Sequence, residues 1–362
     1  MISGIIAEFN PFHNGHRYLL SQASGLKIVL MSGNWMQRGE PAIVDKWVRA
    51  KMALENGADI VCELPFFASV QSADYFARYA IEMLVDLGID QLVFGTDTTS
   101  VDYQDLKHLY QTQKKEMQAF LATLPDQLSY PQKTQKMWEK FTGIHFNGET
   151  PNHILGLAYT KAIASICPQI TLQAVTRVGA GFHDQALSSF ASATAIRAHA
   201  DQDLSDVMPS FDLFQSAPKV TWSAYFALLQ YKLTSSSLIA LTDIFQVNEE
   251  LAVRLKREIK RVDTIDDLVA QVATKRYTKA RVRRILTYIL VNVSHKQAFV
   301  KPKPHILGFS EAGQAHLKKF DVVTKVGKGY EDSLTLQADE IYQLGNPNLA
   351  EQNFGRRPII IR

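Results

Sequence analysis

Apolar runs alternate with amphipathic segments through the first half of the chain. Five short runs of aliphatic and β-branched residues predict strands at 2–7, 27–31, 59–63, 91–94 and 170–176. Between them, apolar residues recur at helical spacing at 17–23, 45–56, 73–87, 103–121 and 152–166. The strands are apolar throughout, so helices should cover both faces of the sheet. The pattern predicts an α/β fold with a doubly wound, parallel, five-stranded, Rossmann-like sheet.

This alternation stops near residue 200. Residues 201–218 are acidic and contain prolines, which is typical of a linker. Helical patterns follow at 222–233, 249–261, 265–274 and 278–293, and residues 305–362 mix short apolar runs with turns. We therefore predict two domains. Residues 1–200 contain the sheet, and residues 201–362 form a mainly helical domain with a small α+β tail.

Composition excludes several classes of protein. The 362 residues are 46% hydrophobic and include two cysteines, which is too few for a disulfide scaffold. Those cysteines are far apart and outside any Cys-x-x-Cys pattern, so we expect no metal site on the protein. No secretory leader is evident, and no apolar run reaches the ~18 residues of a membrane span. A cytoplasmic protein without membrane contact is expected.

Charge is unevenly distributed along the chain. The net charge is +3, but residues 251–300 carry 12 Lys and Arg against four Asp and Glu, a local charge of +8. The predicted helix at 278–293 has an apolar stripe that leaves its outer face basic. A solvated charged face is the ordinary interpretation, whereas this density favours contact with an RNA or DNA backbone. The residues predicted to make that contact are Lys275, Arg276, Lys279, Arg281, Arg283 and Arg284.

The most informative local motif follows the first strand. Asn10 and Pro11 break the strand, and His13-Asn14-Gly15-His16 leads into the next helix. A strand, a tight loop and a helix together present backbone N–H groups to a phosphate. Gly15 lets the backbone approach a ligand, and the two histidines add side-chain donors. A surface histidine pair beside an ordinary turn is the alternative.

Polar residues also follow the later strands, at the edge where ligands of parallel sheets bind. The loop 32–41 is polar and long, which favours a binding loop or lid over a solvated turn. Gly95 would admit a flat ring such as adenine, or simply end its strand. Gly179 and Gly181 suggest a hinge, and Asn152 has the position of a helix cap. Hydroxyls and a cation at Ser192, Thr194 and Arg197 form a second phosphate cradle or a capped helix.

Three stretches carry a family resemblance. The His-x-Gly-His turn resembles the signature of the nucleotidylyltransferase superfamily of HIGH type. The stretches from Gly4 to His16, from Ser32 to Trp47 and from Ser192 to Arg197 resemble the bacterial tRNA(Met) cytidine acetate ligase family over nearly the whole chain. That family activates acetate with ATP and acetylates N4 of the wobble cytidine of elongator tRNA(Met).

The resemblance implies site residues. His13, His16 and Lys46 would be catalytic, acting on the phosphates with Mg²⁺ bridging them. ATP would contact the loop that begins at Ala7, together with residues after the later strands and the second cradle. These residues are Ala7, Glu8, Phe9, Asn10, Pro11, Phe12, His13, Asn14, Gly15, His16, Gly95, Asn152, Arg177, Ser192, Thr194 and Arg197.

Two other functions use part of the same pattern. A small-molecule adenylyl- or cytidylyltransferase would explain residues 1–200 but would leave the basic block without a role. A non-catalytic RNA-binding protein with a degenerate nucleotide site would explain the basic block but not the intact histidine motif. Neither the general base for acetyl transfer nor the oligomeric state follows from the sequence.

Overall fold

The computed structural model describes residues 1–97, 101–144, 151–178, 190–297, 301–327 and 329–362. Within them, seven strands form one sheet, in the order β5-β4-β1-β2-β3-β6-β7. The strands are β1 (Ile2–Ala7), β2 (Leu26–Ser32), β3 (Ile60–Leu64), β4 (Gln91–Thr96), β5 (Thr171–Thr176), β6 (His305–Ser310) and β7 (Ile359–Ile361).

Helices connect and flank these strands, and a short 3₁₀ turn, Trp222–Tyr225, precedes the helical region. The α-helices are α1 (Asn14–Gln22), α2 (Lys46–Glu55), α3 (Phe66–Ser69), α4 (Ala73–Asp86), α5 (Tyr103–Thr123), α6 (Tyr130–Thr142), α7 (Pro151–Ile166), α8 (Ala193–Ala198), α9 (Phe211–Ser216), α10 (Phe226–Ser235), α11 (Leu238–Thr242), α12 (Glu249–Glu258), α13 (Ile265–Val272), α14 (Lys279–Val291), α15 (Glu311–Leu317) and α16 (Ser333–Gln343).

Strands β1 to β5 are parallel, as the sequence predicts, with β1 between β2 and β4. Alternate side chains of β1 enter different cores. Ile5 packs with α1, α2 and α8 on one face, whereas Ile6 packs with α4, α5 and α7 on the other. The carboxyl ends of these strands consequently meet at one edge, between two helical layers.

The predicted number of five strands is wrong. The sheet has seven because β6 pairs antiparallel with β3 and β7 pairs parallel with β6. Both added strands come from residues 305–362, which the sequence analysis assigns to the second domain. β7 has only three residues, and its partner lies about 50 positions away, so a local pattern gives little signal for it. The sheet is therefore mixed and predominantly parallel.

The helical region has its own apolar core. Helices α10 to α14 and α16 enclose buried aliphatic and aromatic side chains, among them Tyr225 and Tyr288. The same core includes Trp35 and Met36 from the loop after β2, and Phe67 from the segment after β3. Connections from the sheet thus pack inside the helical core, and the boundary near residue 200 stays a prediction. Within the described ranges, no helix is long and apolar enough to cross a membrane.

Candidate active site

The histidine turn lies where β1 leaves the sheet. His13 is the N-cap of α1, and its Nδ1 accepts a hydrogen bond from the backbone N–H of Gly15 at 3.1 Å. His16 reaches back, and its Nδ1 accepts from the backbone N–H of His13 at 3.3 Å. This is a capping box made of two histidines. Since each Nδ1 is an acceptor, each neutral ring carries its proton on Nε2.

Both imidazoles are held in the neutral form. Their ring centroids are 3.7 Å apart. Burial, followed by the positive charges of Arg177 and Arg197, lowers the pKa of His13 to about 3. Burial, followed by His13 and Arg177, holds the pKa of His16 well below its ordinary value. At neutral pH the pair therefore offers two N–H donors rather than two positive charges.

Gly15 leaves space for the cap. A Cβ at this position would lie 2.9 Å from Cε1 and 3.1 Å from Nδ1 of the His13 ring. Because no side chain fits without moving that ring, Gly15 maintains the position of His13 as well as an open backbone.

The loop before the histidines is packed and internally bonded. Phe9 and Phe12 are buried, and the Phe9 ring lies 4.8 Å from those of both Phe12 and His16. The side-chain oxygen of Asn10 accepts from the backbone N–H of Ile43 at 2.8 Å. Pro11 is buried as well. These contacts fix the approach of the chain to α1.

The second cradle joins this loop through Arg197. Its Nη1 donates to the backbone oxygen of Asn10 at 2.7 Å, and its Nη2 donates to Oγ1 of Thr194 at 3.4 Å. Ser192 caps α8, accepting from the backbone N–H of Ala195 at 3.1 Å. The structure thus brings Arg197 to the histidine turn, whereas the Ser192 hydroxyl is engaged in its own helix.

Gly95, Asn152 and Arg177 come together around a carboxylate that the sequence analysis did not select. The amide of Asn152 donates to both oxygens of Asp97, at 3.2 and 3.1 Å. Nη1 of Arg177 lies 3.4 Å from the same carboxylate. Gly95 is the next-to-last residue of β4, and the nearest atom to a Cβ placed there would be Cγ of Arg177, at 3.7 Å. Asp97 aligns these residues at the ends of β4 and β5.

The remaining residues of the predicted ATP loop have structural partners. Ala7 ends β1 opposite Met31. Glu8 accepts from the backbone N–H of Gln37 at 2.6 Å, and burial raises its pKa. The amide of Asn14 donates to the backbone oxygen of Asp206 at 2.8 Å.

Arg49 is not among the site residues that the sequence predicts. It is fully buried on α2, and its Nη1 donates to the backbone oxygens of Glu8 at 2.7 Å and Ser32 at 2.9 Å. Nη2 bonds the carbonyl of Gly33, and Nε bonds that of Val44 at 3.0 Å. Arg49 therefore joins the ends of β1 and β2. Its only signal in the sequence is a cation within an amphipathic helix pattern.

Lys46 lies apart from these residues. Its side chain is 0% exposed, and Nζ contacts Glu63 at 2.8 and 2.9 Å, Asp339 at 2.7 Å and Asn353 at 3.2 Å. Four acceptors surround three N–H protons, so this arrangement leaves none for a phosphate. The structure gives Lys46 a place in a buried ionic network rather than beside His13.

The loop between β2 and α2 is not the solvated turn that the sequence left as the alternative. Asn34, Trp35 and Met36 are at most 2% exposed. At Gly39 the chain passes against α14, where the carbonyl oxygen of Gly39 accepts from Oγ1 of Thr287 at 2.7 Å. The loop is therefore a packed connection between the sheet and the helical region.

The six cations predicted to bind nucleic acid differ in accessibility. Lys275, Arg276 and Lys279 are exposed, and Arg281 is half-buried beside Tyr277. Arg283 pairs with Asp266 at 2.9 Å and lies 3.7 Å from Glu40. The sixth cation, Arg284, is buried.

Gly179 and Gly181 lie outside the described residues. Among the residues that are described, no group of three or more His, Cys, Asp or Glu side chains could hold a metal ion.

The chain belongs to the HIGH nucleotidyl transferase family, whose model matches residues 1–357. Curated relatives named tRNA(Met) cytidine acetate ligase are similar over their full length. The Streptococcus thermophilus protein is 58% identical over 370 aligned positions, with 100% of this chain and 99% of the relative covered. The Streptococcus mutans protein is 55% identical, with 99% and 98% covered.

Solved structures agree with this relationship. Apo Thermotoga maritima TmcAL (form I) superposes with a TM-score of 0.84 at 27% identity, covering 100% of this chain and 99% of that one. Thermotoga maritima TmcAL bound with alpha-thio ATP (form II) superposes with a TM-score of 0.82 at the same identity. Both similarities extend across the sheet and the helical region.

Proposed function

We propose that this protein is an ATP-dependent ligase that activates acetate as acetyl-adenylate and acetylates N4 of the wobble cytidine of elongator tRNA(Met). The observation that carries the proposal is the neutral His13–His16 pair on the capped turn, with Arg177 and Arg197 acting on it. The names of the close relatives supply the tRNA and the acetyl acceptor. We place the activity in the cytoplasm.

In the first step, a carboxylate oxygen of acetate attacks the α-phosphorus of ATP. A new P–O bond forms as the bond to the bridging oxygen breaks, and pyrophosphate leaves with that electron pair. No protein nucleophile is needed, so the protein acts by positioning and by stabilising negative charge. The Nε2–H groups of His13 and His16 are suited to donate to phosphate oxygens as charge moves toward the leaving group.

The arginines supply the positive charge that the neutral histidines lack. Arg197 is tied to the histidine loop through Asn10, and Arg177 is held through Asp97 beside the strand end that carries Gly95. We assign Gly95 and Asn152 to the nucleoside end of ATP, because the backbone at Gly95 is free of a Cβ.

We expect Mg²⁺ to accompany the nucleotide. Across the described ranges the protein offers no cluster of three candidate ligands for it, so the ion would be held mainly by phosphates. No step of this mechanism is routed through it.

In the second step, the cytosine N4 attacks the carbonyl carbon of acetyl-adenylate. The C–N bond forms, the C–O bond to AMP breaks, and N4 loses one proton. N4 is conjugated with the ring and weakly nucleophilic, which is why the acyl group must first be activated. The base must also leave the stack of the anticodon loop to reach the activated acetyl group. We assign the RNA backbone to the exposed cations at the start of α14, within residues 201–362.

Release of pyrophosphate that depends on acetate tests the proposal. Purified protein with ATP and acetate but without tRNA should support exchange of pyrophosphate into ATP, and omission of acetate should abolish the exchange. Addition of elongator tRNA(Met) should then yield N4-acetylcytidine, measured by mass spectrometry of nucleosides. Exchange that requires a different small molecule would favour the small-molecule nucleotidylyltransferase. RNA binding without any exchange would favour the non-catalytic RNA-binding protein.

A further inference from the structure

A buried guanidinium on α14 has no counter-charge in the part of the chain that the structure describes. Arg284 is 9% exposed, and its Nε is enclosed without a hydrogen-bond partner. Within the described residues, no acidic side chain pairs with it. Arg49 is equally buried, but four backbone oxygens accept its hydrogen bonds. Because a buried, unpaired charge is costly, the position of Arg284 calls for an anion from outside the chain.

A second cation lies beside it. The backbone at Gly39 contacts that of Arg284 so closely that a Cβ on Gly39 would lie 2.5 Å from the Arg284 nitrogen. Arg38, the preceding residue, is therefore held against α14. Burial is the main cause of the lowered pKa of Arg284, and the charges of Arg281 and Arg38 lower it further. Three cations thus share this region.

This region lies between the histidine turn and the basic face. Gln37, next to Arg38, donates its backbone N–H to Glu8 at 2.6 Å. Arg38 also acts electrostatically on Arg197. The nearby acid Glu40 is directed to two other arginines, at 4.0 Å from Arg197 and 3.7 Å from Arg283.

We propose that Arg284 and Arg38 bind one phosphate group of the RNA strand, next to the nucleotide that is acetylated. A guanidinium fork matches a phosphate in both geometry and charge. The source is RNA because exposed cations continue from Arg284 to Lys279, at the start of the same helix, and to Arg276 in the segment just before it. An RNA strand bound there could extend past Arg284 to the histidine turn, where acetate is activated. This inference rests on the proposed function and makes Arg284 a specific contact rather than one charge among six.

The first experiment compares Arg284→Gln with Arg257→Gln. Arg257 is an exposed cation of the same basic block on α12, so the control removes an equal charge. Arg284→Gln should raise the KM for tRNA at least tenfold, roughly the effect of losing one charge-assisted contact. RNA-free pyrophosphate exchange should change less than about threefold, and Arg257→Gln should change both values only slightly.

Thermal unfolding separates this role from a structural one. Removal of a buried charge that has no partner should leave the Tm of Arg284→Gln unchanged or higher. A Tm lowered by many degrees would instead mark Arg284 as a structural residue and overturn the proposal.

The second experiment identifies the phosphate. A series of anticodon stem-loop RNAs each carries one neutral methylphosphonate near the target cytidine. At one position, this change should weaken binding to the wild-type protein about tenfold yet have little further effect on Arg284→Gln, as expected for contacting partners. Additive losses at every position would show that Arg284 holds no single phosphate.

Two further outcomes are distinguishable. If Arg284→Gln weakens ATP binding and exchange rather than tRNA use, its anion is a nucleotide phosphate and the RNA assignment is overturned. If the wild-type protein fails to acetylate any RNA, the proposed function itself fails, independently of Arg284.

Discussion

The ammonium nitrogen of Lys46 lies 2.7 Å from a carboxylate oxygen of Asp339, a residue 293 positions further along the chain. Glu63 binds the same ammonium, and Nδ1 of His305 lies 2.7 Å from Glu63. Burial alone would raise the pKa of Glu63, but Lys46 and His305 hold it below its ordinary value. The network joins α2, β3, β6 and α16, so it links the carboxyl-terminal segment to the sheet.

Replacement of Lys46 by Met should destabilise the fold rather than remove only one catalytic contact. It would leave the buried carboxylates Glu63 and Asp339 without their cation, which typically costs about 3–5 kcal/mol. Urea unfolding followed by circular dichroism would measure the loss.

Lys51→Met provides a matched control on the same helix. Lys51 is 45% exposed, and its ion pair with Glu55 is long, at 3.8 Å. The control should change stability by less than about 0.5 kcal/mol. A Lys46→Met protein with normal stability but without pyrophosphate exchange would restore the catalytic role that the sequence suggests for Lys46.

The sequence predicts features that depend on neighbours in the chain. The five parallel strands follow from apolar runs, and the histidine turn follows from a strand, a breaker and a capped helix within 20 residues. The sequence does not predict β6 and β7, because their pairing partners are distant and their own patterns are short. The same reason explains why the sequence does not predict the buried network around Lys46, since its partner Asp339 belongs to α16.

Electrostatic roles are equally nonlocal. Asp97 stands out only once Asn152 and Arg177 are seen to contact it. Arg49 and Arg284 both lie within amphipathic helices, and the residues around them in the sequence do not show that their environments differ. Only the structure shows that Arg49 is saturated by carbonyls and that, among the described residues, Nε of Arg284 has no hydrogen-bond partner.

The change His13→Asn should separate the cap from the chemistry. Asn is a good N-cap and can still accept from the backbone N–H of Gly15, so folding should be retained. The Asn side chain cannot place an N–H donor at the position of Nε2 of His13. Acetate-dependent pyrophosphate exchange should fall by about 10²–10³, the scale of one lost transition-state donor. Exchange at the wild-type rate would remove His13 from the mechanism.

The buried histidines should make stability depend on pH. The pKa of His13 is about 3 in the folded chain against 6.5 for the ordinary residue. As the pH falls through about 6.5, the unfolded chain therefore takes up a proton that the folded chain does not bind. The contribution of a neutral His13 to the free energy of unfolding is fully present well above pH 6.5 and decreases at lower pH. Between pH 8.0 and 5.0, His13 should account for a loss of about 2 kcal/mol.

Urea unfolding at several pH values would measure this dependence for the wild type and for His13→Asn. The variant should lose about 2 kcal/mol less over the same interval, because Asn does not titrate. Identical pH dependence in both proteins would show that folding does not lower the pKa of His13.

The substitution Gly39→Ala should disturb the contact between the loop and α14. Gly39 has a φ of +78°, and an added Cβ would meet the backbone of Arg283 and Arg284 at about 2.6 Å. Gly143→Ala is the control, since its φ is +68° and nothing lies within 4 Å of a Cβ there. Gly143→Ala should cost about 1 kcal/mol from backbone strain, and Gly39→Ala clearly more. Equal losses in urea unfolding would contradict the packed contact.

The exposed cations at the start of α14 should contribute affinity for RNA without contributing to activation. Combined replacement of Lys275, Arg276 and Lys279 by Ala removes three charges that lie in solvent. Binding of tRNA should weaken, and the slope of log K against log salt should become shallower by roughly one unit per lost phosphate contact. The measurement is a titration of labelled tRNA at several salt concentrations, with RNA-free pyrophosphate exchange as the activity assay.

The control for this experiment removes the same charge from elsewhere. Lys51, Lys115 and Lys136 are exposed on α2, α5 and α6, so their combined change to Ala alters net charge equally. That triple variant should keep the wild-type salt slope, since a general change in net charge removes no phosphate contact. Equal slopes in the two triple variants would mean that net charge alone attracts the tRNA. Loss of exchange in the α14 variant with tRNA binding intact would instead place this basic segment in the activation machinery.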